Sequence, residues 1–230
     1  AKSAPWLWRN TSRDALRRKQ NRVKTQLSFS EFALRLRQFM RAALGSSHDD
    51  RPAPDVPTTD TFDELAQALF ALQFECNEPF RQLCRARKVS PGGGVSWADI
   101  PAMPTTAFKD VAVTCLPEGE RTRVFYSSGT TGQRPSRHFH HADSLALYEA
   151  SLAPWFARHL LADGATRARM LFLTPPPAAA PHSSLVHMCE TVRREFGEGG
   201  SIFAGRLNAQ GAWDLDLATA LAALRATTAE

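Results

Sequence analysis

Residues 124–138 read Val124-Phe125-Tyr126-Ser127-Ser128-Gly129-Thr130-Thr131-Gly132-Gln133-Arg134-Pro135-Ser136-Arg137-His138. The first residues are typical of a β-strand, and the following ones form a turn rich in hydroxyls and glycine. Gly129 and Gly132 permit a positive φ or a close backbone approach, so that successive amide N–H groups can point into one concavity. Four hydroxyls and two arginines accompany them. The pattern indicates a site for a polyanion, most simply the phosphate chain of a nucleotide.

The alternative interpretation of this segment is an ordinary polar hairpin turn, because Ser, Thr and Gly are common turn residues. A hydrogen bond to a charged acceptor contributes roughly 1.5–3 kcal/mol, so a loop that offers several of them can bind a triphosphate. The pattern G-x-x-x-x-G-K-[ST] is absent, since no Lys follows Gly132. We therefore interpret the segment as a different kind of phosphate-binding loop.

Length and composition favour a globular protein with one sizeable core. The chain has 230 residues, of which 43% are hydrophobic. No apolar run reaches the roughly 18 residues of a membrane span, so none is predicted, and the N-terminus carries no apolar signal-peptide core. The four cysteines lack C-x-x-C spacing. We therefore expect a cytoplasmic protein and no zinc or redox motif.

The net charge of +5 is concentrated near the N-terminus. Residues 1–51 carry 12 Lys/Arg and 4 Asp/Glu, whereas residues 52–230 carry 16 and 19. The basic segment suits nucleic acid or an anionic membrane, or it is a solvated leader, which we favour, so nucleic acid is not an expected partner. Residues 1–60 are predicted to be a basic arm with one amphipathic helix and a Pro-rich linker, and residues 61–230 the main domain.

Hydrophobic periodicity predicts an α/β fold in which helices pack on a sheet. Capping boxes at Ser28–Glu31 and Thr61–Glu64 begin two helices, and Pro79 restarts the second. Residues 100–110 contain two prolines and are predicted to be extended. Strands are predicted at 111–116, 122–126, 137–141, 170–174 and 201–204, and further helices at 142–163, from Ser183 or Ser184 to 196, and from Asp214 or Asp216 onward.

The run Tyr126-Ser-Ser-Gly-Thr-Thr-Gly-x-x-Pro135 resembles the phosphate-binding signature of the adenylate-forming superfamily. The resemblance is closest to the acyl-protein synthetases of bacterial luminescence (the LuxE family) and extends from Thr61 to the C-terminus. Three further stretches carry it: Phe74-Glu-Cys-Asn-Glu-Pro-Phe-Arg-Gln-Leu-Cys84, Asp99-Ile-Pro-Ala-Met-Pro-Thr-Thr-Ala-Phe-Lys-Asp110 and Ser183-Ser-Leu-Val-His-Met188. It implies the N-terminal portion of an adenylating large domain, a sheet flanked by helices.

The resemblance also implies a reaction. A carboxylic acid, expected to be a fatty acid, attacks the α-phosphate of ATP to give an acyl-adenylate and pyrophosphate, while Mg²⁺ shares the phosphate charge, and the acyl group passes to a protein thiol. The implied partners are the acid and an acyl-accepting protein or a reductase. Implied nucleotide-binding residues are Ser127, Ser128, Gly129, Thr130, Thr131, Gly132 and Ser136, and implied catalytic residues are Thr130, Thr131 and Arg137.

Several residues near the loop have more than one interpretation. Where the superfamily usually has Lys after the loop's Pro, this chain has Ser136 and then Arg137, whose planar guanidinium can supply the charge. His138 and His140 fall on one face of a strand and are assigned to an acyl pocket, with a metal pair or simple packing as alternatives. No third ligand is evident, so no metal site is predicted. Lys109 contacts a phosphate or is an ordinary surface lysine.

Other functions stay open at this point. His182 and His187 flank two serines, but the G-x-S-x-G pattern of hydrolases is absent and helix capping explains the serines. The family's later motifs and its acyl-accepting Cys would lie beyond Glu230, so we expect the N-terminal portion of a longer enzyme, which by itself need not turn over. The alternatives are a phenylacetate-type acyl-CoA ligase, which shares the Glu-x-Pro-Phe/Tyr-Arg pattern, and a non-catalytic nucleotide- or partner-binding remnant.

Overall fold

The computed structural model describes residues 27–44, 60–127, 134–161 and 164–227, and these residues form α-helices and short β-strands. The helices are α1 Phe29–Leu44, α2 Phe62–Cys76, α3 Glu78–Ala86, α4 Ala107–Asp110, α5 Ala142–Leu160, α6 Ser184–Phe196 and α7 Leu217–Thr227. The strands are β1 Arg123–Tyr126, β2 Arg137–His140, β3 Leu171–Phe172, β4 Ile202–Phe203, β5 Gly205–Leu207 and β6 Trp213–Leu215. In these four segments, no helix has the length and apolar character needed to cross a membrane.

The strands pair into three separate two-stranded ladders. The pairs β1–β2 and β5–β6 are antiparallel, and β3–β4 is parallel. The predicted mixture of helix and strand is thus confirmed, whereas the strands of the described residues do not join into one sheet. Two-stranded ladders are marginal by themselves, so each of these depends on packing against the helices or loops around it.

Local sequence signals place the starts of the helices. The hydroxyl of Thr61 accepts a hydrogen bond from the Glu64 amide at 3.3 Å, and the Glu64 carboxylate accepts one from the Thr61 amide at 2.7 Å. The same reciprocal pair joins Ser28 and Glu31. These backbone bonds hold the pKa of both glutamates below the usual range. The two predicted capping boxes are therefore confirmed.

Helix α1 packs on α2 and α5 and contributes to the first of two hydrophobic clusters. Phe32 of α1 is buried against Leu65 and Leu72 of α2. An ion pair between Arg35 and Asp60 ties α1 to the residues just before α2. The predicted linker that precedes Asp60 lies outside the described residues, so the proposed domain boundary stays a prediction.

The second cluster lies between α2 and α3 and supports the segment that follows them. Phe70, Phe80 and Cys84 are buried together, and Ile100 and Met103 pack against them. Pro79 lies in the first turn of α3, as predicted for a restarted helix, where its missing N–H costs nothing. Residues 100–116 thus lie on a firm apolar support rather than in an isolated loop.

Two predictions for residues 100–116 are wrong. Ala107–Asp110 is a helical turn rather than extended, since the amides of Ala107, Phe108 and Lys109 donate to the three carbonyls that begin at Pro104. A proline restrains its own φ and the preceding residue, and therefore leaves the residues after Pro104 free to turn. Residues 111–116 are not a strand; the Val113 amide instead bonds to the Val111 carbonyl.

The other predicted strands are present in shorter form, and the C-terminal region differs in one respect. Trp213–Leu215 is the second strand of a hairpin that the sequence did not predict, so Asp214 cannot begin the last helix. Asp216 does so, because its carboxylate accepts a hydrogen bond from the Thr219 amide at 3.1 Å. Helix α5 ends at Leu160, slightly earlier than predicted.

Candidate functional site

The candidate phosphate-binding loop connects β1 to β2. Tyr126 lies opposite Arg137 in the ladder, and the next two residues close the base of the loop. The Ser127 amide donates to the Ser136 carbonyl at 3.1 Å, and the Ser136 amide donates to the Ser127 hydroxyl at 2.9 Å. Two predicted nucleotide-binding residues are thus in direct contact. The remaining ones, Ser128, Gly129, Thr130, Thr131 and Gly132, lie outside the described residues, and their roles stay predictions.

A chain of contacts links the base of this loop to helix α4. Ser136 is only 8% exposed, and its hydroxyl lies 3.1 Å from Nε2 of His138. The His138 ring stacks on Phe108 with the ring centroids 5.0 Å apart. Lys109 follows on the same helical turn and is half-buried. Phe108, in the stretch 99–110 that resembles a family motif, therefore lies next to the base of the loop, although it comes well before the loop in the sequence.

Two arginines lie beside the loop base. The guanidinium carbon of Arg137 is 5.9 Å from the centre of the Phe139 ring, and that of Arg121 is 4.8 Å from the same ring. Arg121 is held there because its Nε donates to the Leu116 carbonyl at 3.0 Å. The Nε of Arg137 is buried and has no hydrogen-bond partner among the residues that the structure describes. Such an unmatched donor is unfavourable unless an acceptor approaches it.

The two histidines of β2 have different surroundings. They share one face of the strand, as predicted, but His138 is exposed whereas His140 is half-buried beside the Phe125 ring, 5.1 Å away. Nδ1 of His140 lies 3.2 Å from the Ser144 hydroxyl at the start of α5. Burial, and to a smaller extent the neighbouring histidines, lowers the pKa of His140. It is thus suited to packing as a neutral ring, and its acyl-pocket role stays a prediction.

Strand β1 is anchored to the turn that precedes α6. The Tyr126 amide donates to the His182 carbonyl at 3.0 Å, and Nδ1 of His182 lies 3.0 Å from the Val124 carbonyl. Ser183 caps α6, since its hydroxyl accepts from the Val186 amide at 3.2 Å. The predicted capping role of a serine at this position is confirmed. His182 holds β1, which with β2 forms the stem of the loop, against the turn before α6.

One contact between a histidine and a carboxylate, close to β1, was not anticipated. Nε2 of His187 lies 3.0 Å from a carboxylate oxygen of Glu149, although the two are not aligned for a hydrogen bond. The same histidine packs against Phe125 and Tyr148 with ring centroids 5.3 and 5.8 Å apart. The sequence did not single out Glu149, because a lone carboxylate in a predicted amphipathic helix is usually exposed to solvent.

A cavity of about 430 Å³ lies between the α2–α3 pair, residues 100–116 and β2. Its wall is mainly apolar and includes Phe80, Met103, Phe108, Val113, Cys115 and Phe139. Neither His138 nor His140 lines it. The sequence did not predict this cavity, because its walls come from distant segments that only the fold brings together, Phe29 of α1 and Ser144 of α5 among them.

The chain's four cysteines share one electrostatic feature. Cys84 and Cys189 are buried, Cys115 is half-buried and Cys76 is exposed, and all four are free thiols. Burial raises the pKa of each, that of Cys115 to about 11. A nucleophilic or acyl-accepting cysteine requires a lowered pKa. None of these thiols has the electrostatic environment of an activated cysteine.

The polar groups at the loop base fit phosphate better than they fit a metal ion. The hydroxyls of Ser127 and Ser136 and the nearby guanidinium groups can donate hydrogen bonds to anions, whereas Mg²⁺ prefers oxygen ligands, usually carboxylates. In the described segments, no three His, Cys, Asp or Glu side chains are grouped so as to hold a metal ion.

No family model matches the chain, and no curated protein or solved structure is significantly similar to it.

Proposed function

We propose that the chain activates a carboxylic acid, most simply a fatty acid, with ATP. A carboxylate oxygen of the acid bonds to the α-phosphorus, the bond between the α-phosphorus and the bridging oxygen to the β-phosphate breaks, and pyrophosphate leaves. The protein's task is to position two anions that repel one another and to neutralise their charge. The hydroxyls and amides of residues 127–132 bind the β- and γ-phosphates, and Arg137 supplies positive charge at the end of the loop.

One observation carries this proposal: Arg137 has a buried Nε with no partner in the described residues, two positions beyond the closing proline of the loop. A buried cationic donor requires an acceptor. A bound phosphate or carboxylate would satisfy it with a charge-assisted hydrogen bond. Arg121 lies on the same aromatic ring and adds to the positive potential.

We further propose that the acyl group leaves for a thiol outside the four cysteines of this chain. Cys76 is the most accessible of them, and burial still raises its pKa. A thiol of this kind is a poor nucleophile towards an acyl-adenylate. The acceptor would accordingly be a cysteine outside these 230 residues, either in a later part of the same enzyme, as the resemblance implies, or in another protein.

The test measures nucleotide binding and adenylation separately. Binding of Mg·ATP is followed by the rise in melting temperature, since a ligand at 100 times its Kd adds about 2.7 kcal/mol to the free energy of unfolding. Adenylation is followed by ATP–pyrophosphate exchange with a series of fatty and aryl acids, on this chain and on the natural full-length protein, because residues 1–230 by themselves need not turn over. Both are repeated with the double variant Thr130→Ala/Thr131→Ala and with the matched control Thr58→Ala/Thr59→Ala, a Thr-Thr pair in the predicted linker.

We expect Mg·ATP to stabilise the unchanged chain and the control but not the loop variant. Acid-dependent exchange should likewise be present in the first two and absent from the loop variant. Arg137→Ala should weaken ATP binding, while Arg137→Lys should retain part of it because the charge remains. Stabilisation by ATP without exchange for any acid would favour a nucleotide-binding module instead. Absence of both would overturn the proposal.

A further inference from the structure

The cavity between the α2–α3 pair and β2 is large enough for a small ligand. Its volume of about 430 Å³ lies inside the range of roughly 300–1,000 Å³ that small-molecule sites occupy. Phe80, Met103, Phe108, Val113 and Phe139 give it an apolar wall. It is also close to the loop, because Phe108 stacks on the histidine that contacts the loop base.

The polar side chains of the lining are largely occupied by their own backbone. The Asn77 side-chain oxygen accepts a hydrogen bond from the Phe80 amide at 3.3 Å, where it caps α3. The Thr114 hydroxyl accepts from the Leu116 amide at 3.1 Å, and the Ser144 hydroxyl donates to the His141 carbonyl at 3.0 Å. Of the polar lining, the amide groups of Gln73 and Asn77 keep hydrogen-bonding capacity, but most of the wall is apolar. The interior thus suits a hydrocarbon.

Positive charge lies near one residue of the cavity wall, although neither arginine lines the cavity. Arg121 and Arg137 both place their guanidinium groups against the ring of Phe139, which lines the cavity. A molecule with an apolar body in the cavity and a negative end towards these arginines would match both features. A monocarboxylate with a hydrocarbon or aryl tail has this shape and charge, whereas an alkyl amine has the shape with the wrong charge.

We propose that this cavity binds the apolar tail of the carboxylic acid, with the carboxylate directed towards Arg121 and Arg137. The assignment of the acid as a substrate rests on the proposed function, but the binding of the tail is a separate claim. Phe108 and Val113 then set the length of the tail that fits. Phe108 also contacts His138, which in turn contacts Ser136. A ligand that displaces the Phe108 ring would therefore also affect the contacts at the base of the loop.

Cys115 lines the cavity and reports on its occupancy without ATP. In a Cys76→Ser background the other two cysteines are buried, so alkylation by a small maleimide measures access to Cys115, and peptide mass spectrometry confirms the position. The reaction is run at about pH 9 to supply thiolate. Decanoate at ten times its Kd should slow labelling about elevenfold, whereas acetate should not, and decylamine should protect far less.

A matched pair of variants locates the binding. Val113→Phe narrows the cavity, while Val111→Phe makes the same change at a residue that is 42% exposed and does not line it. We expect decanoate protection to be lost only in Val113→Phe. In pyrophosphate exchange, Val113→Phe should shift the preference towards shorter acids and Val111→Phe should not.

The outcomes separate the two proposals. Thr130→Ala/Thr131→Ala should abolish exchange and retain decanoate protection of Cys115, because the tail binds away from the phosphates. Exchange without any protection of Cys115 would overturn the cavity assignment and leave the adenylation proposal intact. Equal protection by decylamine, or protection that survives Val113→Phe, would also overturn the assignment. Protection without exchange for any acid would support the cavity and contradict the adenylation proposal.

Discussion

The hairpins β1–β2 and β5–β6 are both antiparallel, yet they are attached to the rest of the molecule in opposite ways. Strand β1 inserts a side chain, Phe125, which is only 3% exposed. All three residues of β6 are exposed, including Trp213 at 43%. The second hairpin is anchored through its backbone instead: the Gly205 amide donates to the Thr174 carbonyl at 3.0 Å.

The difference in anchoring matches the difference in the loops that the two hairpins carry. The first positions a loop whose residues have little to bury, so its stem must be fixed by the core and by the bonds from His182. The second ends in a tight turn that is closed by its own Asn208, whose side-chain oxygen accepts from the Gln210 and Ala212 amides. A ligand-binding loop benefits from a rigid stem, because ordering it on binding would cost affinity.

The largest predicted effect comes from removal of the side-chain anchor. Phe125→Ala should lower the free energy of unfolding by about 3–5 kcal/mol, since it empties a site between β1, β2 and α6. Trp213→Ala, the control in the exposed strand, should cost less than about 1 kcal/mol. Urea denaturation measures both. Similar losses in the two variants would show that the hairpins are anchored alike.

The next effect concerns the backbone anchor. A Cβ added at Gly205 would overlap the carbonyl carbon of Thr174 and come within 2.5 Å of the Pro175 nitrogen. Gly205→Ala must therefore displace β5, and we expect a loss of about 1–3 kcal/mol by urea denaturation. Gly199→Ala adds the same methyl group where no atom lies within 4 Å. If both substitutions are tolerated equally, the close approach at Gly205 is not what holds this hairpin.

The contrast also explains what the sequence could predict. Helix starts at Thr61 and Ser183 were predicted correctly, because a cap is formed by residues three apart. Strand β1 and the closure of its loop were predictable from β-forming residues on both sides of a glycine-rich turn. The β5–β6 hairpin was not, since its anchor is a glycine that contacts Thr174, and nothing local distinguishes such a glycine from one in an open turn.

In the candidate site, too, the sequence predicted the local features and missed those that depend on tertiary contacts. The loop residues and Arg137 were identified from the sequence because they are consecutive and chemically distinctive. The contact of His138 with Phe108, the second arginine at position 121 and the cavity were not, because each depends on tertiary placement of residues that look ordinary by themselves. Residues 107–110 were assigned as extended on the strength of two prolines, although helical bonds after Pro104 decide their conformation.

A smaller effect tests the turn of the second hairpin. Gly211 has a φ of +75°, and no atom lies within 4 Å of the position that an added Cβ would occupy. An alanine there would thus be disfavoured only by the positive φ. Gly211→Ala should cost about 1 kcal/mol by urea denaturation. Gly119→Ala, where the space is equally open but no positive φ is required, should cost less. An unchanged stability in Gly211→Ala would mean that the turn adapts and that Gly205 alone fixes the hairpin.

The smallest effect distinguishes the hairpins by pH. Burial lowers the pKa of His140, so between that pKa and the unfolded value of about 6.5 the unfolded chain binds more protons. The free energy of unfolding should thus fall as the pH is lowered through this window and level off below it. The pKa of Asp216, after the second hairpin, is lowered by the bond from the Thr219 amide, so its contribution is lost only in the acid range, below about pH 3.9.

His140→Gln measures this contribution as the difference in urea midpoint between variant and unchanged chain at each pH. At about pH 8 the imidazole is neutral in both states, so the difference there reports packing alone. Towards about pH 5 the unchanged chain should lose stability relative to its own value at pH 8 by more than the variant does. A constant difference across the range would mean that His140 titrates alike in both states. The ring beside Phe125 would then be open to water, and the stem of the loop less firmly packed than its contacts indicate.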